Sequence, residues 1–374
     1  MIETFHDLCQ ELEINALDPS QDDLNKLLQW FNSTISTDLD CQGNVQERFD
    51  VYQSLATKFL ENFRPHMKTE QLTNGMTPLE FIVDSGFNKY LEAIHPSPEE
   101  VRCLIHGITL LHLAAARGHF HTVEALLTLG VNPLDKGTRG MPILFTTLML
   151  PIAHDAHMIK HKQAIYQLLV NLAPDLLDER NESGDTVLHT MSVNGYNSLI
   201  EETLAQTPEL ASISNYANRY PIHAGILNSQ HACVKVLIAV PGVDQLTDAK
   251  GRDALHYAAK YGDKQMVNIC LHSSIPKDSR DKRLQTPLIL ASIANNYDAL
   301  SELIMFGADV NLTDNMQRSA LHYAVEASDL AAVKRLMAAP GIDVHLRDEN
   351  AKTALDLLPL GTPLGAQIHQ CLHA

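Results

Sequence analysis

The stretch that decides the fold is GRDALHYAAKYGD, residues 251–263. At its centre a Leu-His pair is followed by small residues, and the same phrase, with Leu or Ile before the histidine, recurs elsewhere in the chain. The other copies begin at Leu111, Leu188, Ile222 and Leu321. A histidine that returns in one register belongs to a repeated unit. The phrase therefore predicts that His256 is a scaffold residue and not a catalytic one.

The repeats can be counted from an anchor residue, which lies three positions before the histidine slot. The anchors are Thr77, Thr109, Met141, Thr186, Tyr220, Asp253, Thr286, Ser319 and Thr353. Their spacings are 32, 32, 45, 34, 33, 33, 33 and 34 residues. A fixed period near 33 marks stacked supersecondary units, so we expect a solenoid and not one large globular core.

Each unit carries the signals of two helices. Most anchors are Thr, Ser or Asp, whose side-chain oxygens accept hydrogen bonds from the free amides of a helix's first turn. Further along each unit, apolar residues recur at helical spacing, as in Val234, Leu237 and Ile238. Turn formers such as Asp248 and Asp281 lie five residues before an anchor. The pattern predicts an all-α fold of helix-turn-helix units joined by short hairpin tips.

This pattern resembles the ankyrin repeat family, whose units read Asp-x-x-Gly-x-Thr-Pro-Leu-His-x-Ala-Ala-x-x-Gly, then a Leu-rich helix, then Gly-Ala-Asp-Val-Asn, as in residues 307–311. The resemblance extends from about Leu72 to the end of the sequence. It implies histidines that hydrogen-bond within and between repeats. Those histidines are His112, His189, His223, His256 and His322. In the other repeats the position of the histidine holds a different residue, namely Glu80, Leu144, Ile289 or Asp356.

The chain divides into an N-terminal part and the repeats. Residues 1–70 lack the repeat phrase, contain thirteen acidic and five basic residues, and have the spacing of three helices. They are expected to form an acidic helical cap, or alternatively a small domain with its own function. Residues 71–374 are expected to hold about nine repeats, with an insertion near residues 151–160 and a truncated last repeat.

Composition favours a soluble protein that binds other proteins. The net charge of −17 argues against nucleic-acid binding. No apolar run is long enough to span a membrane, and the first residues do not have the pattern of a signal peptide. The six cysteines lie far apart, which is typical of free thiols. We expect a cytoplasmic protein that is monomeric, as solenoids commonly are. No phosphate loop or catalytic motif stands out, so we expect no cofactor.

Two minor sites are also indicated. His154, His157 and His161 lie at i, i+3 and i+7, a spacing that could place three imidazoles around a metal ion, although a polar helix face has the same spacing. Asn311 follows Asp309-Val310 and resembles the asparagines that are hydroxylated in ankyrin repeats of animal cells. The same residues are ordinary repeat consensus, so the structural interpretation of Asn311 stays open beside it.

The family resemblance implies a partner-binding face. In ankyrin repeats this face is concave and is formed by the turn tips and the exposed side of the first helix. The charged residues in its slots of the C-terminal repeats are eight basic and two acidic, and aromatic residues lie in the same surface. The candidates for partner binding are Tyr216, Arg219, Lys250, Arg252, Lys260, Tyr261, Lys282, Arg283, Met316, Arg318 and Lys352. We expect an acidic protein segment as the partner.

Two function classes follow from these observations. The first is a non-enzymatic interaction module that recognises a protein through its C-terminal repeats. The second is an effector that an intracellular bacterium secretes into a host cell without a classical signal peptide. In that alternative, an enzymatic or modifying activity would lie in residues 1–70 or in the insertion, and the repeats would target it.

Overall fold

A computed structural model describes residues 26, 78–84, 86, 91, 96, 109–137, 140–149, 156–358 and 363–372. These residues form sixteen α-helices and four short 3-10 helices. In the same part of the chain, β-type pairing is limited to isolated bridges between Thr313 and Ser319 and between Arg347 and Thr353. The predicted all-α fold is confirmed for these residues. The predicted cap, residues 1–70, lies outside them apart from residue 26.

The chain forms two compact units, residues 1–177 and 178–374. The helices described in the first unit are α1 (Pro78–Asp84), α2 (Leu110–Arg117), α3 (Phe120–Thr128), α4 (Ile143–Leu148) and α5 (Ala156–Leu172). Helix α2 packs between α1 and α4, while α3 packs against α5. First helices and return helices therefore form separate layers, as a stack of helix-turn-helix units requires.

The second unit repeats this arrangement with more copies. Its helices are α6 (Val187–Asn194), α7 (Asn197–Gln206), α8 (Pro221–Leu227), α9 (His231–Ile238), α10 (Ala254–Tyr261), α11 (Lys264–Leu271), α12 (Pro287–Ile293), α13 (Tyr297–Met305), α14 (Ala320–Glu326), α15 (Leu330–Met337) and α16 (Pro363–Leu372). The even-numbered helices α6 to α14 stack on one another as one layer, and α7 to α15 stack as the second. The final return helix α16 packs on α15.

Small and branched residues build the core between these layers. Helix α10 buries Ala254, Ala258 and Ala259, and these small side chains allow neighbouring first helices to approach closely. Helix α11 buries Met266 and Val267 against the same layer. Each fully buried large side chain contributes roughly 1.5–3 kcal/mol, so stability accumulates repeat by repeat.

The predicted helix caps are confirmed at most of the described anchors. The Thr109 hydroxyl accepts from the His112 amide at 3.2 Å, and the Asp253 carboxylate accepts from the His256 amide at 2.9 Å. Thr286 caps α12 in the same way, with Pro287 at the first helical position. These residues start each first helix at a fixed place in the period.

One anchor is corrected by one residue. Helix α4 begins at Ile143, and its N-cap is Pro142, so the anchor is not Met141. The distance from Thr109 then equals the 33-residue period of the later repeats, and buried Phe145 replaces Leu144 in the histidine slot. The extra residues that follow fall before and within α5, which is seventeen residues long. The predicted insertion at residues 151–160 therefore overlaps the start of a return helix.

A second correction concerns the last repeat. Thr353 does not begin an α-helix; it is followed by a three-residue 3-10 helix, Leu355–Leu357, whose N-cap is Ala354. Leu358 has extended backbone angles, φ −66° and ψ 127°, which the following Pro359 favours because a proline disfavours the helical region for its predecessor. The first helix of this repeat is therefore shorter than those of the preceding repeats.

The repeated histidines join consecutive repeats. In each case Nε2 bonds to the carbonyl oxygen of the residue just before the next repeat's anchor. These bonds are His112–Met141 at 3.0 Å, His189–Arg219 at 2.9 Å, His256–Gln285 at 2.9 Å and His322–Lys352 at 3.3 Å. The predicted scaffold role is confirmed for these four residues.

His256 differs from its counterparts because its anchor is an aspartate. Its Nδ1 lies 2.8 Å from Asp253 Oδ1, while its Nε2 faces the Gln285 carbonyl. Both partners accept hydrogen bonds, so each ring nitrogen lies within hydrogen-bond distance of an acceptor, and the two side chains form a buried pair. Burial alone would raise the pKa of the Asp253 carboxyl, but the hydrogen bonds and the charge of His256 outweigh it and hold that pKa below its usual value.

Replacing Asp253 tests this contact. We expect Asp253→Ala to lower the free energy of unfolding by about 2 kcal/mol, because it removes a helix cap and the hydrogen-bond partner of the buried His256 Nδ1. Asp253→Thr restores the hydroxyl cap found at Thr109 and should stay within about 0.5 kcal/mol of wild type. Urea unfolding at neutral pH measures both values. Equal losses in the two variants would contradict the assignment.

Candidate functional site

The predicted partner-binding residues lie at the hairpin tips of the second unit and on the adjoining ends of its first helices. We call this surface the tip face. Neighbouring tips are joined by backbone hydrogen bonds: Lys282 N–H donates to Lys250 O at 2.8 Å, and Asn315 N–H donates to Arg283 O at 2.9 Å. A third such bond runs from Glu349 N–H to Met316 O at 3.0 Å. The tips therefore form one connected edge.

An aspartate shapes each of these tips. Asp248 Oδ1 accepts from the amides of Lys250 at 2.7 Å and Arg252 at 2.9 Å, which closes a tight turn. Asp281, Asp314 and Asp348 make the same pair of bonds in the following repeats. The turn formers recognised in the sequence thus fix the positions of the exposed side chains between them.

Two of the predicted binding arginines, Arg252 and Arg318, form ion pairs that hold neighbouring repeats together. Arg252 Nε lies 3.1 Å from Asp281 Oδ2, and the two side chains are 12% and 1% exposed. Arg318 Nε lies 3.5 Å from the buried carboxylate of Asp348, an ion pair without a hydrogen bond. A buried carboxylate needs a counter-charge, and for Asp281 and Asp348 the arginine of the preceding repeat supplies it.

Arg219 stays exposed although it occupies the same slot. The turn aspartate of the following repeat, Asp248, is bonded instead by the hydroxyl of Tyr257 at 3.0 Å. Burial, together with the Asp248 charge, raises the pKa of Tyr257 to about 12, and the neighbouring Arg219 guanidinium opposes that rise. Arg219 therefore contributes positive charge to the tip face beside a satisfied Tyr–Asp pair.

The other basic candidates lie at the surface. Lys250, Lys282, Arg283 and Lys352 are exposed, and Lys282 Nζ also donates to Ala249 O at 2.8 Å. Lys260 is half-buried and places its ammonium 4.9 Å from the centre of the Tyr261 ring. The centre of the tip face, at Lys250, Lys282 and Arg283, is therefore strongly positive.

Aromatic and apolar side chains are exposed on the same face. Tyr216 is 75% exposed and Tyr261 is 51% exposed, whereas Met316 is covered more completely. Leu227 and Ile293 are exposed at the C-terminal ends of first helices. In a later repeat the residue at this place is Glu326, which accepts a hydrogen bond from Arg318 at 2.8 Å, so the helix end adjoins the base of the tip. Selection by charge and aromaticity missed Leu284, an exposed leucine inside the basic tip.

His223 is the repeated histidine without the inter-repeat bond. Its Nδ1 accepts from the Tyr220 amide at 3.1 Å, so Nε2 carries the proton, but Nε2 is buried without a hydrogen-bond partner. The ring lies against Tyr257, with centroids 4.4 Å apart. Burial lowers the pKa of His223 to about 4, since a charged imidazole cannot be solvated there.

The remaining candidates from the sequence lie elsewhere. His154 and the side chain of His157 are outside the described residues, and His161 is exposed on α5. Where the structure describes the chain, no three His, Cys, Asp or Glu side chains are grouped to hold a metal ion. Asn311 bridges two loops, donating to Gly341 O and accepting from the Asp343 amide, each at 2.8 Å. Its amide therefore has a structural role, and its hydroxylation stays a prediction.

Two cysteines are placed by the structure. Cys233 and Cys270 are buried free thiols, and burial raises the pKa of Cys233 to about 11 and that of Cys270 further. Neither thiol is therefore reactive at neutral pH. Among the helices that the structure describes, none combines the length and the apolar character needed to cross a bilayer.

Comparison with known proteins identifies the repeats. A family described as ankyrin repeats in three copies matches residues 188–281, 227–314 and 255–348, and a single ankyrin repeat matches residues 106–138. Together these matches cover just over half of the chain. The three-copy matches run from residue 188 to residue 348 without a gap, so they include the tips that hold Arg219, Arg252, Lys282, Arg283 and Arg318.

Relatives and solved structures agree with this identification. The chain is 26% identical over 201 residues to the nuclear factor NF-kappa-B p105 subunit of Gallus gallus, covering 51% of this chain and 20% of that protein. It is 35% identical over 83 residues to inversin of Danio rerio, covering 22% and 8%. It thus spans a fifth or less of these relatives. The ankyrin repeat domain of Bcl-3 superimposes with a TM-score of 0.53 at 21% identity, covering 66% of this chain and 99% of that domain, which shows a shared fold.

The neutral His223 predicts sensitivity to acid. The unfolded chain binds a proton at this residue below about pH 6.5, whereas the folded protein resists protonation until about pH 4. Stability from His223 is therefore complete above pH 6.5 and falls by about 3 kcal/mol on going to pH 4. His223→Asn keeps an acceptor for the Tyr220 amide, so it should flatten this part of the curve. Urea midpoints across that range test it, and parallel curves for both proteins would refute it.

The ion pair of Arg252 predicts a different outcome from that of its exposed neighbour. We expect Arg252→Glu to destabilise the protein by about 3 kcal/mol, because a second carboxylate would face the buried Asp281. The matched change Lys250→Glu lies at an exposed position and should cost no more than about 0.5 kcal/mol. Thermal unfolding followed by circular dichroism compares them. Similar melting curves would show that Arg252 is not a structural residue.

Proposed function

The chain belongs to the ankyrin repeat family, and from that premise we propose that it is a non-enzymatic module that binds an acidic protein segment through its tip face. Ankyrin repeats generally mediate protein–protein interaction. The observation that carries the finer proposal is the charge at the centre of the tip face. Lys250, Lys282 and Arg283 are exposed together on connected tips, although the chain has a net charge of −17.

Electrostatics favours an acidic partner at this place. Arg219 lies on the same face one repeat before Lys250, and Lys352 lies beyond Arg283. Exposed charges of one sign steer an oppositely charged partner and suppress binding of partners with the same charge. Because Arg252 and Arg318 are paired within the protein, these exposed residues carry the positive potential, and they define which substitutions report on binding.

The apolar and aromatic residues supply binding energy beside the charges. Tyr216 and Tyr261 present large rings at low conformational cost, and tyrosine and arginine are enriched in the residues that dominate protein interfaces. Leu227 and Ile293 add aliphatic surface along the same helix ends. A partner segment that combines acidic residues with apolar ones would match both parts of the face.

The rigidity of the tips supports recognition of this kind. Backbone bonds between tips and aspartate-closed turns hold the exposed side chains in place before a partner arrives. Less conformational freedom is then lost on association. The alternative hypothesis, an activity in residues 1–70 or in the insertion, concerns residues that lie mostly outside the described part of the chain, and it stays a prediction.

A charge reversal tests the proposed function. Peptides selected from a displayed random library on the wild-type protein should combine Asp or Glu with apolar residues. We expect Arg219→Glu, Lys250→Glu and Arg283→Glu, combined in one variant, to weaken their binding by at least about tenfold. Raising the salt from about 50 mM to about 300 mM should weaken wild-type binding as well. Fluorescence anisotropy with labelled peptides measures both effects.

A matched control reverses charges on another surface. Lys235 is exposed on return helix α9, away from the tips, and Lys235→Glu should leave peptide affinity unchanged. Circular dichroism should show that the triple variant keeps its helical content, since its three positions are exposed. Selected peptides that are basic, or an affinity that does not respond to salt, would refute the acidic partner.

A further inference from the structure

We propose that Leu284, within the tip Lys282–Leu284, is a specificity-determining contact that packs against an apolar side chain flanked by carboxylates on the partner segment. This inference rests on the proposed function of the tip face. Leu284 is 43% exposed, and its neighbours Lys282 and Arg283 are both exposed cations. An aliphatic side chain beside two positive charges is complementary to an apolar side chain with acidic neighbours.

The backbone of Leu284 is unusual for a leucine. Its φ angle is 58°, in the left-handed region that residues other than Gly, Asn and Asp rarely adopt. Four of the six other described repeats fill the same slot with glycine or asparagine, which fit it more easily. Glycine occupies the slot at Gly140, Gly184 and Gly251, and Asn218, Gln317 and Ala351 occupy it in the remaining described repeats. Leu284 is the one large apolar residue among them.

Local folding does not account for this choice. One repeat earlier, Gly251 makes the same turn, with its amide donating to Asp248 O at 2.9 Å. The Leu284 amide donates to Asp281 O at 2.8 Å in the same way. A glycine at position 284 would therefore keep the turn and relieve the strained backbone. Strained residues of this kind are retained where they serve function.

The surroundings hold Leu284 firmly in its exposed position. Asp281 Oδ1 accepts from the amides of Arg283 and Gln285, at 2.8 and 2.9 Å, on either side of the leucine. The other oxygen of Asp281 is paired with Arg252 of the preceding repeat. The tip is also bonded through the backbone to the tips before and after it, at Lys250 and Asn315. A partner therefore meets a side chain whose position is already set, which favours affinity.

The ion pair of Arg252 with Asp281 also affects the position of Leu284. By neutralising the buried Asp281, it stabilises the turn that presents Leu284. Arg252 thus contributes to binding by stabilising the tip, whereas Lys282 and Arg283 would contact the partner directly. This arrangement separates the residues that position the contact from those that make it.

The experiment compares three variants against labelled peptides selected on the wild type. Leu284→Gly and Leu284→Asn both suit the left-handed backbone, so their melting temperatures should equal or exceed that of wild type. We expect each to weaken peptide binding by about tenfold. Ala351→Gly makes the matched change in the last hairpin tip and should leave affinity unchanged, because its neighbours there are Asn350 and Lys352.

The outcomes separate this inference from the proposed function. Weaker binding by both Leu284 variants, with unchanged stability and normal binding by Ala351→Gly, supports the contact. If the Leu284 variants bind within about twofold of wild type while the triple charge reversal does not, the tip contact is wrong and the acidic partner stands. If the triple variant also binds normally, the proposed function itself fails. An equal loss in Ala351→Gly would trace the effect to the tip backbone and would overturn the role of Leu284.

Discussion

The hydrogen bond from a buried histidine to the carbonyl before the next repeat's anchor is the interaction on which the second unit depends. His189, His256 and His322 each make it, and it joins the start of one first helix to the hairpin of the next repeat. The side chain or amide of the anchor residue is hydrogen-bonded to Nδ1 of the ring, so Nε2 can donate to the carbonyl. His112 makes the same bond in the first unit.

The same geometry determines where the tip face can lie. Since the carbonyl that receives the histidine belongs to the residue next to the anchor, the hairpin is held at its base and projects its tip outward. Aspartates then close the tips and acquire a buried charge that needs a partner. Arg252 meets this need for Asp281, and Tyr257 meets it for Asp248. Which basic residues stay exposed, such as Arg219 and Arg283, therefore depends on which side chain pairs with the turn aspartate of each repeat.

Much of the fold could be predicted from the sequence, because caps, histidines and turn aspartates are local signals that recur at one period. The prediction was wrong at Met141, since the N-cap position is held by Pro142 without a side-chain cap, and at Thr353, where Pro359 favours extended backbone at Leu358 and only a short 3-10 helix forms. The site was harder to predict. Whether Arg252 is free or paired depends on a carboxylate 29 residues away, and the strained backbone of Leu284 is visible only in three dimensions.

The backbone hydrogen bonds between neighbouring tips carry a consequence for how this surface can evolve. Bonds such as Lys282 N–H to Lys250 O involve no side chain, so the identity of the residues at the tips is left open. Mutation can therefore change the exposed side chains one repeat at a time without altering the edge that displays them. A lineage carrying such a scaffold can acquire a new binding preference by point substitution, and duplication of a repeat lengthens the edge by one further tip.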